Sequence, residues 1–139
     1  MEVAIAWKIE KQTKTFRIPI RVFNPSTNIS IIKYFIFDTG FSGYLALDKK
    51  TINQLGLERI GLGKAMTVNG LIEYNSYFGK AEFLDENETK LSPIEETTSS
   101  SKTNLIIPIQ EFNVNLIGMK SIIQKSWMIL HSEILCLLK

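Results

Sequence analysis

The sequence predicts an all-β fold in one domain spanning residues 1–139, and three observations predict it. Apolar residues recur in short runs or at every second position, and each run is bounded by turn residues. No segment carries a long apolar stripe at helical spacing. Asn69-Gly70 sits between two β-prone arms in "KAMTVNGLIEYNSYF", a short-range signal for a two-residue hairpin turn. With 139 residues, 45% hydrophobic and 22% charged, the chain has enough material for one core but too little for two.

Each element follows from local pattern. Residues 2–8 are a strand candidate, and "FRIPIRVF", residues 16–23, alternates at Phe16, Ile18, Ile20 and Val22. Asn24, Pro25 and Ser26 mark a loop. Residues 30–37 form the most hydrophobic strand, and "YLAL" reads as the next. Asp48 is an N-cap candidate, Ile52 and Leu55 lie three apart, and Gly56 can supply a left-handed stop, so "DKKTINQLGL" predicts one short helix. The 85–104 segment, acidic and then Ser/Thr-rich, reads as a mobile excursion or an irregular hairpin end. "LIIPI" and "FNVNLIGM" return to strand character, "KSIIQK" suggests a turn or two of helix, and "WMIL" and "EILCLL" predict two last strands.

Composition excludes several functions. Sixteen basic and fourteen acidic residues are spread without a dense basic block, which disfavours nucleic acid. A transmembrane helix needs about 20 mostly apolar residues, and "SIIQKSWMILHSEILCLLK" is broken by Lys125, His131 and Glu133. "MEVAIAWKIEKQ" lacks the form of a secretory signal, so a cytoplasmic protein is expected. One cysteine, Cys136, and one histidine offer neither an internal disulfide nor a dedicated zinc site. "GLERIGLGKA" lacks the Gly-Lys-Ser/Thr of a phosphate loop, and Trp7 and Trp127 read as core or interface.

One stretch raises a chemical question. "KYFIFDTGFSGYLAL", residues 33–47, places Asp38 at the end of an apolar strand, where an isolated charge is costly. Alone, Asp-Thr-Gly is also an ordinary β-turn. Its surroundings add an apolar strand on each side, a hairpin downstream, and "NLIGMKSII" with two apolar residues, a glycine and a helix-forming tail. In that order, over roughly residues 30–130, these features resemble the retropepsin-like aspartic proteases, including the small archaeal and bacterial members with "DTGFSGYL…LGL" wording.

The resemblance implies a closed or partly open β-barrel lobe with a flap hairpin and one or two short helices. It also implies catalysis without metal or organic cofactor. Two carboxylates pressed together share one proton, because like charges at close range cannot both ionise. This chain offers a single Asp-Thr-Gly and is too short for two lobes, so the implied enzyme is a homodimer in which Asp38 of each subunit meets at a two-fold axis. Thr39 would hold the paired loops in register, and Gly40 would allow close approach at the carboxylates. Phe41 stands where viral members usually have alanine, and with Ser42 it would shape the substrate site.

The hairpin would be the flap over an extended peptide, with Met66, Val68, Asn69, Gly70 and Leu71 as substrate-binding residues. Ile117 and Gly118 would support the aspartate loop from beneath, and "EILCLL" would suit a dimer built from interleaved termini. The implied substrate is an unfolded or extended peptide. The rival expectation is a non-catalytic dimeric β module that holds a peptide or partner protein in the same cleft.

Overall fold

A computed structural model describes residues 3–97, 103–131 and 133–138. Among the described residues the chain is mostly β with two short helices. In order the elements are β1 (Val3–Glu10), β2 (Thr15–Phe23), β3 (Ser30–Phe37), β4 (Leu45–Leu47), α1 (Lys49–Leu55), β5 (Arg59–Thr67) and β6 (Gly70–Leu84). There follow β7 (Lys90–Pro93), β8 (Glu96–Thr97), β9 (Thr103–Asn104), β10 (Ile107–Glu111), β11 (Leu116–Ile117), α2 (Met119–Ile122), β12 (Ser126–Leu130) and β13 (Ile134–Leu138). No helix is long and apolar enough to cross a membrane among the described residues.

Eleven strands form one mixed sheet in the order β12-β13-β1-β2-β3-β11-β4-β10-β6-β5, with β7 beside β6. A further pairing joins β2 to β6, so the path from β2 through β3, β11, β4, β10 and β6 returns on itself as a ring within the sheet. The apolar residues read from the sequence fill that ring. Ile18, Ile20, Val22, Phe35, Leu45, Leu47, Phe83, Ile107, Ile109 and Ile117 are all fully buried. Residues from six strands therefore lose water together, each contributing about 1.5–3 kcal/mol relative to exposure.

Strand β6 serves two purposes along its 15 residues. Its first half pairs only with β5 as a projecting hairpin, while its second half also meets β10, β2 and β7 and is almost wholly buried. The hairpin is thus an extension of the core strand, anchored where that strand enters the ring.

Helix α1 starts and stops on capping chemistry. The Asp48 carboxylate accepts from the Thr51 backbone N–H at 2.9 Å, and Gly56 takes the left-handed conformation at φ 65°. The Asn24 side-chain amide donates to the carbonyls of Leu55 and Gly56 at 2.9 and 3.0 Å, fastening the β2–β3 loop to the helix end.

Several expectations need correction. The strand before Asp38 is half-buried rather than deeply buried, with Phe35 its one fully buried residue. Much of the 85–104 segment is ordered: Asp85 closes a turn by accepting from the N–H groups of Asn87 and Thr89, β7 pairs with β6, Ile94 is fully buried, and β8 pairs with β9. Residues 98–102 of that expectation lie outside the described residues. The "FNVNLIGM" run is strand only at Leu116–Ile117, because Phe112–Asn115 make the connection from β10 to β11. The last strand is not available for interleaving with another chain, since β13 pairs with β1 on one edge and β12 on the other, burying Leu135, Cys136 and Leu137.

Candidate active site

The loop from Asp38 to Tyr44 connects β3 to β4 and is held from below by the chain's later crossing. Strand β11 inserts between β3, to which it is parallel, and β4, to which it is antiparallel. The Asp38 N–H donates to the Ile117 carbonyl at 3.0 Å, so the carboxylate-bearing residue continues the β3–β11 ladder for one more step. The chain then enters α2 at Gly118.

That helix start binds the loop. The first N–H groups of a helix have no partner within it, and here they go to loop carbonyls. Gly118 donates to Tyr44, Met119 to Phe41 at 2.7 Å, and Lys120 to Gly43 at 3.1 Å. The Ser121 hydroxyl adds a bond to the Tyr44 carbonyl at 2.8 Å. A Cβ at Gly118 would lie 2.1 Å from the Gly43 carbonyl oxygen, so the crossing requires glycine. Ile117, fully buried, fills the space beneath.

The Asp38 side chain is itself fixed. Its Oδ1 accepts from the Gly40 N–H at 2.8 Å, and the Phe41 N–H donates to the Asp38 carbonyl at 3.3 Å, closing a tight turn through Thr39 and Gly40. One carboxylate oxygen is thereby held by the backbone. The residue is half-buried, while Thr39, Gly40 and Ser42 are exposed. In the single chain the carboxylate therefore stands at the surface of a cleft and does not bear the burial cost that a strand-end aspartate suggests.

Above the loop lies a pocket of about 230 Å³. The loop contributes Asp38, Gly40 and Phe41; the hairpin contributes Val68, Asn69 and Ile72; the floor and rim are Ala46, Gln110, Phe112 and Leu116. Apart from Asp38 this lining carries no formal charge, so the pocket suits apolar side chains beside one acid group. Phe41 is buried and packs with Ala46, Ile72, Tyr74 and Leu116, tying the loop to both β4 and the hairpin. Burial pushes the Tyr74 phenol above its ordinary pKa, and its hydroxyl donates to the Lys64 carbonyl across the hairpin at 3.2 Å. Burial, followed by the nearby Glu96 charge, likewise raises Tyr44.

The hairpin turn differs from the expected one. Thr67 pairs with Gly70, so Val68 and Asn69 are the connecting residues. A two-residue turn over Asn69-Gly70 of the favoured type requires positive φ at both, and only Gly70 has it, at 102°. The hairpin's faces shift accordingly. Met66 and Leu71 are cross-strand partners exposed at 56% and 61%, pointing away from the pocket that Val68, Asn69 and Ile72 line.

The structure thus brings Asp38, Gly40, Phe41, Val68 and Asn69 to one cavity, with Ile117 and Gly118 under the loop; Thr39, Ser42, Met66, Gly70 and Leu71 do not line it. Ala46, Ile72, Gln110 and Phe112 were not singled out by the sequence, and Leu116 entered there only as one of the two apolar residues before Gly118, not as pocket lining. For Ile72 a signal existed: in "LIEY" the charged Glu73 marks the outer face, which puts Ile72 and Tyr74 on the inner one. No protein-family model matches the chain, and no curated protein does either.

Proposed function

We propose that the chain is one subunit of a homodimeric aspartic endopeptidase with a retropepsin-like lobe, hydrolysing peptide bonds through a water activated between two Asp38 carboxylates. The observation that carries this reading is the Asp38 carboxylate itself. It is oriented by the Gly40 N–H at the mouth of an apolar pocket, beneath a projecting β-hairpin, with its loop supported by the Gly118 crossing.

In the reading, two copies place their Asp38 groups face to face. One carboxylate is ionised and takes a proton from the water as general base; the other is protonated and polarises the scissile carbonyl, then protonates the departing amine. The hairpin covers an extended peptide, with Val68 and Ile72 packing over its side chains and the neutral walls at Phe41, Ala46, Phe112 and Leu116 favouring apolar residues next to the scissile bond.

Cleavage of a denatured protein at mildly acid pH, compared between the natural chain and Asp38→Asn, tests the proposal. Loss of activity by between about 10²- and 10⁴-fold is expected. Activity that survives the substitution refutes the mechanism. Peptide binding without cleavage by the natural chain would instead make this a non-catalytic peptide-binding module.

A further inference from the structure

The sheet's two ends are built differently. At one end β5 is interrupted by an irregular step between Arg59 and Gly61 and carries Arg59 and Lys64, features that discourage pairing with another chain. At the other end β12 reads "SWMIL", with no charge, proline or bulge, and among the described residues it has one strand neighbour, β13. Met128, Ile129 and Leu130 are exposed at 39%, 53% and 36%, an apolar sheet edge with none of the usual protection.

We propose that this edge receives a second copy of the chain, with β12 pairing antiparallel to the partner's β12 about a two-fold axis at Met128. The inference rests on the homodimer of the proposed function and names its interface. Centring on Met128 is the register that pairs all five residues. It sets Ser126 opposite the partner's Leu130, and Trp127 opposite the partner's Ile129. Each exposed Ile129 then covers the partner's indole, an aromatic–aliphatic cross-strand pair. Because the strand is uncharged, with Lys125 and His131 just beyond its ends, the axis brings no like charges together within it.

The position suits the chemistry. The Trp127 ring lies 5.1 Å from that of Phe37, the residue before Asp38, and its Nε1 donates to the Ile122 carbonyl at the end of α2. The edge is therefore continuous with the base of the Asp38 loop. A stable dimer buries roughly 800 Å² per partner, more than a five-residue strand edge supplies. The contact must spread to its surroundings, where Ile123 is 70% exposed and Thr39 and Gly40 form the exposed tip of the loop. The proposed enzyme requires that this spread reach the Asp38 loop, so that the two Asp38 groups meet.

Sedimentation of the full chain, with peptide cleavage measured on the same samples, tests the interface. The natural chain is expected to sediment as a dimer, and Ile129→Lys to raise the dimer dissociation constant at least about tenfold with an unchanged circular dichroism spectrum. Met128→Cys in a Cys136→Ala background is expected to be joined into a covalent dimer by a short bismaleimide. A natural chain that stays monomeric, an Ile129→Lys chain that dimerises normally, or a dimeric Met128→Cys chain that yields no cross-link overturns the interface. The two readings fail separately. Dimerisation lost in Ile129→Lys, without Asp38-dependent cleavage by the natural chain, keeps the interface and removes the protease. Asp38-dependent cleavage undiminished in Ile129→Lys keeps the protease and removes the interface.

Discussion

Replacing Gly118 by alanine should damage the fold more than any other single methyl group added near the Asp38 loop. The new Cβ would lie 2.1 Å from the Gly43 carbonyl oxygen, 2.8 Å from its carbon and 2.6 Å from the Phe41 ring. Two of these three contacts are backbone, which cannot rotate away as a side-chain tip can. Gly43 is also held by the Lys120 N–H, and Gly118 by the Tyr44 carbonyl, so relieving the clash strains or breaks hydrogen bonds that pin the loop. Overpacking costs about 1–3 kcal/mol and a lost hydrogen bond about 1 kcal/mol, giving a loss of about 2–4 kcal/mol. Urea unfolding should show this as a lower midpoint at unchanged slope, and heating as a melting point lower by about 10 °C or more. A loss below about 1 kcal/mol would refute the claim that the crossing is sterically full.

Gly40→Ala makes the contrasting case. Its Cβ meets only the Asp38 Oδ1, at 3.2 Å, on an exposed turn. Stability should change by less than about 1 kcal/mol while cleavage falls, a separation that unfolding and activity measurements on one sample would reveal. Trp127→Ala removes a ring packed against Trp7, Phe37 and Phe83 together with its bond to Ile122, and should cost about 3 kcal/mol in urea unfolding. Asp48→Ala should cost about 1 kcal/mol through loss of the α1 cap. Partial burial raises the Asp48 pKa, but the bonds from the Thr51 N–H and hydroxyl, the Lys33 charge and the Asn115 side chain together outweigh it and hold the carboxyl below its ordinary value. A group lowered in this way stabilises the fold above its unfolded pKa and ceases to do so as pH falls through the folded value. Asp48→Asn should therefore flatten the acid side of a plot of urea midpoint against pH.

How far the sequence spoke depended on whether the cause was local. The α1 boundaries were legible because Asp48 and Gly56 act within one turn of their own positions, and the buried strands because their apolar runs had no other use. Strands β7 to β9 were not: "DENETKLSPIEETT" is polar, and what orders the described part is pairing of β7 with a β6 long enough to offer an extra edge, the burial of Ile94, and pairing of β8 with β9. The place of "EILCLL" was similarly hidden, since an apolar strand does not announce which neighbours enclose it. At the candidate site, Asp38 and Gly40 were legible from one compact loop pattern. Gln110, Phe112 and Leu116 arrive at the pocket only because β10 and β11 flank β4, a fact of topology that no local spacing encodes. The dipeptide Asn69-Gly70 marks the hairpin but not its register, which places the turn one residue earlier, at Val68 and Asn69.

The proposed enzyme needs two chains to complete one active centre, a requirement that mixing subunits tests. With the natural chain held constant and increasing Asp38→Asn chain added under conditions that allow exchange, cleavage should fall as mixed dimers form, in proportion to the number of pairs that carry both carboxylates. Cleavage that stays constant however much of the substituted chain is added would mean that each Asp38 works alone, and would contradict the account.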